Sequence, residues 1–138
     1  MKDKISKLIL FYPAFCIPDD ARAGKMMFAK FDPNNIPDTI KCGPMKLGRC
    51  YVEDVININP YDEIGGFSGD VLIVHGTKDK IVNMKYIERA YQTYLKENAD
   101  NSTQSKVVLK IIDGGKHMFS KKHDKIAMEY VRNFAENT

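Results

Sequence analysis

Three short apolar runs constrain what this chain can fold into more than any other feature of its sequence. They occupy residues 8–12, 71–74 and 107–112, and each is rich in β-branched or aromatic side chains. The apolar residues in each run are nearly continuous and do not alternate with polar ones, which is typical of strands covered on both faces of a parallel sheet. We therefore predict three parallel β-strands.

Helical patterns follow the second and the third run. Between these runs, apolar side chains recur at helical spacing on one face, and Asn83 is placed to cap the start of the helix. A second apolar stripe follows the third run and consists of Ala127, Tyr130, Val131 and Phe134. Strand, helix, strand and helix in this order predict an α/β fold with helices flanking the sheet. A polar surface loop is expected over residues 98–105.

Residues 16–66 separate the first run from the other two and differ from them in composition. They hold five of the six prolines and all three cysteines of the chain. They also keep many large apolar side chains, which a disordered linker would lack. We predict a folded lid or cap inserted into a single domain of 138 residues. Within it, a hairpin is expected around residues 42–44 and a short helix over residues 51–56.

Charge and composition exclude several classes of function. The 21 basic and 18 acidic residues give a net charge of +3, too little to indicate binding to nucleic acid or to a membrane surface. No apolar stretch approaches the roughly 20 residues that span a membrane. The three cysteines match no zinc or haem spacing, and their odd number fits a reduced compartment. We expect a cytoplasmic protein with no metal and no other cofactor.

Acid and base side chains follow two of the predicted strands. Asp79 lies in the loop after residues 71–74, and His117 lies in the loop after residues 107–112. The carboxyl ends of parallel strands meet at one edge of the sheet, where such folds bind their ligands. An aspartate beside a histidine fixes the imidazole tautomer and stabilises the imidazolium formed during proton transfer. We predict that Asp79 and His117 form a catalytic pair.

The motifs around these two residues resemble the C-terminal half of an α/β-hydrolase. Residues 71–82 read Val-Leu-Ile-Val-His-Gly-Thr-Lys-Asp-Lys-Ile-Val, and residues 114–119 read Gly-Gly-Lys-His-Met-Phe. The predicted lid, with residues 59–64, resembles that of bacterial cinnamoyl- or feruloyl-esterase-like serine hydrolases. The resemblance implies a partial α/β-hydrolase fold and carboxyl-ester hydrolysis, with Asp79 as the acid and His117 as the base.

The nucleophile of that family is missing from the sequence. Serine hydrolases of this kind carry it in a Gly-x-Ser-x-Gly elbow, and the nearest imitation, at residues 66–70, has the wrong spacing and precedes a strand. In the family, the elbow and the oxyanion-hole loop come before the point at which this chain begins. Residues 10–15 resemble the strand that follows the nucleophile helix. We expect a C-terminal part of a serine ester hydrolase that is inactive on its own.

Two other functions remain open on the sequence. The chain could be a non-catalytic module that binds small aromatic acids or esters, or it could be an interaction protein. Without the nucleophile half, residues 8–12 would form an apolar edge strand, and such edges pair with other chains. Besides a small-molecule ester, we therefore expect self-association or a partner chain at this edge.

Other reactive side chains have simpler explanations. His75 is expected to pack at the end of a strand, and His123 to be a solvated residue at the start of a helix. Cys16 could replace the serine as a nucleophile after the first strand. It has no elbow, however, and nothing in the sequence around it lowers its pKa. A buried thiol of the core or lid is therefore the preferred interpretation.

Overall fold

The structure, a computed structural model, describes residues 2–100 and 104–137, with only the backbone of Asp3. The chain divides into two units, of which the first combines Met1–Pro13 with Ile64–Thr138 and the second is Ala14–Glu63. In chain order the elements are β1 (Lys7–Phe11), α1 (Ile17–Arg22), β2 (Lys25–Met26), β3 (Ala29–Lys30), β4 (Thr39–Cys42), β5 (Met45–Gly48), α2 (Arg49–Val55), β6 (Asp70–Gly76), α3 (Met84–Asp100), β7 (Val107–Ile112) and α4 (Lys121–Glu136).

The first unit is built on a parallel sheet with the strand order β1-β6-β7. Leu8 pairs with Val71, and Val71 pairs in turn with Val107. The middle strand, β6, is buried throughout residues 71–76, whereas β1 and β7 form the edges among the described strands. The prediction of three parallel strands is confirmed, and β6 extends beyond its apolar run to include His75 and Gly76 because these residues continue the pairing with Ile111 and Ile112 of β7.

Two long helices flank this sheet, as predicted. Each buries one apolar stripe, made of Ile87, Ala90 and Tyr94 in α3 and of Ala127 and Phe134 in α4. Asn83 caps α3, because its Oδ1 accepts a hydrogen bond from the Lys85 amide at 3.0 Å. Ser120 caps α4 in the same way through the amide of His123. The caps set the points at which the chain leaves the two loops that follow β6 and β7.

The helix α3 is longer than the sequence predicts. Residues 98–100 of the expected polar loop are helical, and Asn98 is buried. The Asn98 side-chain amide donates a hydrogen bond to the Ser105 carbonyl at 3.3 Å, which ties the end of the helix to the segment before β7. Residues 101–103 of the predicted loop lie outside the described residues. Asn98, a polar residue of a type that favours loops, therefore has a hydrogen-bond partner within the fold.

The second unit contains two hairpins and two short helices. β2 pairs with β3 and β4 pairs with β5, both antiparallel. The second hairpin turns where one is predicted, at Gly43, whose φ of 63° suits glycine. The predicted helix over residues 51–56 is the helix α2, which begins earlier, at Arg49. The core of the unit consists of Ala21, Met26, Ile40, Cys42, Val52 and Val55.

The cysteines form no disulfide with one another. Burial, followed by the negative charge of Asp20, raises the pKa of Cys16 to about 11. Cys16 is therefore a protonated thiol at neutral pH and a poor nucleophile. Within residues 2–100 and 104–137, the structure has no helix with the length and apolar character needed to cross a membrane.

Candidate active site

A pair of glycines brings together the two loops that follow β6 and β7. Gly76 and Gly115 lie so close that a Cβ added to Gly76 would be 2.2 Å from the Gly115 carbonyl oxygen. The Lys78 amide donates a hydrogen bond to that same carbonyl at 2.8 Å. Any side chain at Gly76 would push the loops apart, so glycine stands where two backbones touch.

Thr77 also ties the two loops together. Its Oγ1 donates a hydrogen bond to Asp113 Oδ1 at 3.0 Å and accepts one from the Gly114 amide at 2.8 Å. The Thr77 amide donates to the Ile112 carbonyl at 3.1 Å. These contacts continue the pairing of β6 and β7 beyond the strands and hold the loop that carries Asp79.

The carboxylate of Asp79 is held by its own loop. Its Oδ1 accepts hydrogen bonds from the amides of Ile81 at 2.8 Å and Val82 at 2.9 Å, and its side chain is 0% exposed. Burial acting alone raises the pKa of this carboxyl. The amides of Val82 and Ile81 and the His117 ring outweigh that effect, so the pKa lies below its ordinary value. Asp79 is therefore ionised at neutral pH.

The imidazole of His117 meets this carboxylate from the other loop. Its Nδ1–H donates to Asp79 Oδ2 at 2.9 Å, since an ionised carboxylate only accepts hydrogen bonds. The His117 side chain is 21% exposed, and its Nε2 has no hydrogen-bond partner in the described part of the chain. A neutral ring protonated on Nδ1 carries its lone pair on Nε2. The outward nitrogen can therefore accept a proton.

The aromatic ring of Tyr12 contacts this histidine, and the sequence reasoning missed it. Its centroid lies 4.8 Å from that of His117 and 5.0 Å from that of Phe119. Tyr12 directly follows β1 and has a φ of 37°, which is uncommon outside glycine. Neighbouring strand residues normally point to opposite faces, yet the ring of Phe11 also lies near Phe119, at 5.9 Å. The turn at Tyr12 thus brings successive aromatic rings to one place.

The buried ring of His75 borders the acid, which the sequence analysis also did not predict. His75 is 0% exposed, and its Nε2–H donates to the Val82 carbonyl at 3.1 Å. Its Nδ1 lies 3.8 Å from Asp79 Oδ2, which is too far for a hydrogen bond. Burial lowers the pKa of the ring in spite of the attraction of Asp79. His75 packs at the strand end, as expected, but it does so beside the carboxylate.

His123 belongs to the first turn of α4. Its amide donates to Ser120 Oγ at 3.5 Å, and its Nδ1 lies 3.1 Å from the same oxygen. His123 and Ser120 line a pocket beside His117, together with Gly114, Lys116 and Met118. The described residues contain no group of three His, Cys, Asp or Glu side chains that could hold a metal ion.

The pairing of Asp79 with His117 has the geometry of the acid and base of a catalytic triad. The carboxylate is buried, the ring is oriented through Nδ1, and Nε2 faces outward. Such a pair takes a proton from a hydroxyl nucleophile and returns it to a leaving group. The structure thus brings together both residues that the sequence singles out; their catalytic role stays a prediction.

Similarity to known proteins is visible in the structure. No family model and no curated protein sequence matches the chain. A solved structure of Est1E from Butyrivibrio proteoclasticus with bound ferulic acid matches with a TM-score of 0.81 and 30% identity, over 97% of this chain and 50% of that chain. A second structure of Est1E matches with a TM-score of 0.77 and 28% identity, over 97% of this chain and 53% of that one.

More distant matches share the fold. The esterase domain of a Rhodothermus marinus protein has a TM-score of 0.59 and 14% identity, over 94% of this chain and 52% of that chain. A Paleococcus ferrophilus monoacylglycerol lipase has a TM-score of 0.58 and 13% identity, over 99% of this chain and 61% of that chain. This chain spans about half the length of the solved structures of Est1E that it matches.

Proposed function

We propose that this chain supplies the acid and the base of a serine carboxyl-ester hydrolase, because it belongs to the α/β-hydrolase superfamily. The proposal depends on one observation above all, the 2.9 Å hydrogen bond from His117 to the buried carboxylate of Asp79. The nucleophile would lie on a segment outside these 138 residues, because their sequence contains no Gly-x-Ser-x-Gly elbow.

The proposed reaction cleaves an ester in two stages. The Nε2 of His117 takes the proton of the serine hydroxyl while the serine oxygen attacks the ester carbonyl. The bond to the alcohol then breaks, and the alcohol leaves with that proton. A water molecule, activated by the same Nε2, cleaves the acyl-enzyme and restores the serine. Throughout, Asp79 keeps the proton on Nδ1 and stabilises the imidazolium that forms between the steps.

The isolated chain is proposed to be inactive. It would lack the serine. It would also lack the oxyanion-hole donors, and each single donor contributes about 3–4 kcal/mol to the stabilisation of the transition state. Cys16 does not replace the serine, because burial raises its pKa to about 11. The substrate is proposed to be a small-molecule ester. Ferulic acid, which Est1E binds, makes aromatic acyl esters the first probes.

The second unit, Ala14–Glu63, is proposed to serve as the lid or cap of the same domain. Its own apolar core supports a folded insertion. A cytoplasmic location is also proposed, and the absence of a disulfide among the three cysteines supports it, because disulfides are rare in that reducing compartment.

The outer edge of β1 is proposed as the docking surface for the nucleophile-bearing segment. Among the described strands β1 pairs only with β6, and Ile9 in its middle is 38% exposed. An edge strand presents a row of unpaired backbone groups, and open apolar edges pair with other chains. A parallel strand of that segment would pair with β1, and without it the isolated chain would associate with itself.

A chimera tests the catalytic proposal. The part of Est1E that this chain does not match is joined to the chain, and hydrolysis of an aryl ester is measured alongside the isolated chain. We expect turnover from the chimera alone. His117→Ala should reduce it at least about a thousandfold, whereas the control Glu88→Ala, at an exposed position of α3, should leave it unchanged.

Three results would contradict or redirect this proposal. Turnover by the isolated chain that disappears in His117→Ala would show that no second segment is needed. A folded chimera whose activity does not depend on His117 would refute the role of the base. Binding of ferulic acid by the isolated chain, with no turnover from the folded chimera, would favour the alternative of a non-catalytic binding module.

Light scattering of the isolated chain tests the docking surface. We expect concentration-dependent association of the natural chain and a monomer for Ile9→Lys, since a charge on an edge strand opposes pairing. The control Ile111→Lys changes a residue of β7 with nearly the same exposure, 39%. A natural chain that stays monomeric at high concentration would refute the docking proposal.

A further inference from the structure

His75 is a fully buried ionisable side chain that the proposed reaction does not use. It lies in β6, one residue before Gly76, and its side chain is 1% exposed. A buried polar atom is costly unless it has a hydrogen-bond partner, and a partnerless one calls for an explanation. One ring nitrogen of His75 has a hydrogen-bond partner and the other has none. Both lie close to the groups that surround Asp79.

The Nε2 of His75 holds the turn that binds the acid. It lies 3.1 Å from the Val82 carbonyl oxygen. Because a carbonyl oxygen only accepts hydrogen bonds, Nε2 carries the proton. The amide of the same Val82 donates to Asp79 Oδ1 at 2.9 Å. His75 therefore holds Val82 in place, and the Val82 amide in turn holds Oδ1 of the Asp79 carboxylate.

The Nδ1 of His75 faces the other carboxylate oxygen, Asp79 Oδ2, without forming a hydrogen bond to it. It lies 3.8 Å from Asp79 Oδ2 and has no hydrogen-bond partner among the described residues. Since Nε2 holds the proton of the neutral ring, Nδ1 has only a lone pair to present to the carboxylate. The donor to Oδ2 is His117, at 2.9 Å.

We propose that His75 is a positioning residue for the pair formed by Asp79 and His117. Its bond to Val82 holds Oδ1 in place, and its unprotonated Nδ1 fills the space beside Oδ2 without offering a competing proton. Oδ2 is thereby reserved for the Nδ1–H of His117. This inference rests on the proposed catalytic role of the pair, but its structural claim is measurable without any ester hydrolysis.

Two amide variants separate the roles of the two nitrogens. In His75→Gln the side-chain amide reaches the position of Nε2, so the bond to the Val82 carbonyl is kept and no donor is added beside Oδ2. In His75→Asn the amide takes the position of Nδ1, where it donates to Asp79 Oδ2 and competes with His117. The two variants thus form a matched pair with opposite expectations.

The test is NMR of the chain labelled with ¹⁵N in its histidines, recorded for the natural chain and for each variant. We expect His117 to carry its proton on Nδ1 in the natural chain and in His75→Gln, with exchange of that proton with water within about twofold. In His75→Asn we expect exchange about tenfold faster, the equivalent of losing one hydrogen bond. Equal exchange in the natural chain and His75→Asn would overturn the proposal, as would equal acceleration in both variants.

His75→Leu keeps the proposal testable if the Asn variant does not fold. Leucine fills similar space, adds no donor beside Oδ2 and loses the contact with Val82. We expect the amides of Ile81 and Val82 to exchange faster while His117 keeps its proton on Nδ1. Unchanged exchange of these amides would overturn the role of Nε2, and a shift of the His117 proton to Nε2 would overturn the role of Nδ1.

These measurements are independent of the chimera. An inactive but folded chimera would refute the proposed function and leave the assignment of His75 to be judged by the ring and amide exchange alone. An active chimera in which His75→Asn lowers kcat at unchanged KM, while His75→Gln lowers neither, would support both proposals.

Discussion

The loops that carry Asp79 and His117 hold their side chains in different ways. The acid is 0% exposed and is bound by two amides of its own loop, those of Ile81 and Val82. The side chain of the base is 21% exposed, and it is held by groups far away in the sequence, the Asp79 carboxylate and the Tyr12 ring.

This difference shows that the two residues of the pair are positioned by different kinds of contact. The acid is placed by a turn of four residues, in which a short acidic side chain binds the amides that follow it. The base is placed by tertiary contacts, so its geometry depends on everything that keeps the loops together. Variants that separate the loops should therefore disturb the base more than the acid.

The largest effect is expected for Gly76→Ala. Its Cβ would lie 2.2 Å from the Gly115 carbonyl oxygen, a backbone atom that cannot move aside as a side chain can. We expect the free energy of unfolding to fall by about 3 kcal/mol or more, as measured by urea denaturation. The control Gly43→Ala has a φ of 63° and open space around its Cβ, so only about 1–2 kcal/mol of strain applies. Equal losses would show that the loops are not in tight contact.

A smaller effect is expected for Asp79→Ala. The amides of Ile81 and Val82 would lose their acceptor, which should cost about 2–3 kcal/mol of unfolding free energy. His117→Ala should cost about 1 kcal/mol or less, because the ring is partly exposed and no amide depends on it. Thermal or urea denaturation of both variants checks this order. A larger loss for His117→Ala would contradict the view that the acid is the more firmly built half.

The pH dependence of stability should separate two buried groups. The pKa of Asp79 is lowered in the folded chain, so its stabilisation is present above the unfolded value of about 3.9 and is lost as the pH falls through the folded pKa. The pKa of His75 is also lowered, chiefly by burial. The folded state resists its protonation, so stability begins to fall below the unfolded value of about 6.5.

Denaturation measured between neutral and acidic pH checks both effects. His75→Gln should remove the decrease at the higher pH, and Asp79→Asn should remove the one at the lower pH. A stability that stays constant from neutral pH down to about 4 would contradict the assignment to His75.

A small effect, comparable to that of His117→Ala, is expected for Thr77→Val. The variant removes the hydroxyl that bonds Asp113 and the Gly114 amide, and this exposed contact should contribute about 1 kcal/mol. The control Thr93→Val removes a hydroxyl that bonds the Arg89 carbonyl within α3, and surface changes of this kind usually stay within about 0.5 kcal/mol. If Thr77→Val leaves both stability and the exchange of the His117 Nδ1–H unchanged, the hydroxyl does not connect the loops.

Much of the fold was predictable because its signals are local. Continuous apolar runs predicted the three parallel strands, helical spacing predicted α3 and α4, and a polar side chain predicted the cap at Asn83. The pairing of Asp79 with His117 was predictable too, because each residue closely follows the carboxyl end of a parallel strand. The order β1-β6-β7 then makes β6 and β7 neighbours and brings the two loops together.

Other parts of the site have no local signal. The contact of Tyr12 with His117 joins residues distant in the sequence, and the φ of 37° at Tyr12 is unusual for its residue type. Nothing near His75 in the sequence shows which ring nitrogen meets a carbonyl and which faces a carboxylate. Asn98 looked like a loop residue because polar side chains favour loops, whereas it is buried and bonds the Ser105 carbonyl.

The sequence by itself determined the α/β class, the parallel strands and the two residues of the pair, because periodicity, caps and short turns act over a few residues. Only the tertiary structure decided how that pair is held: two glycines in contact, a ring packed on the base and a buried histidine beside the acid. These arrangements depend on side chains and backbones that meet across the sheet, where packing and hydrogen-bond geometry, not local propensity, select the conformation.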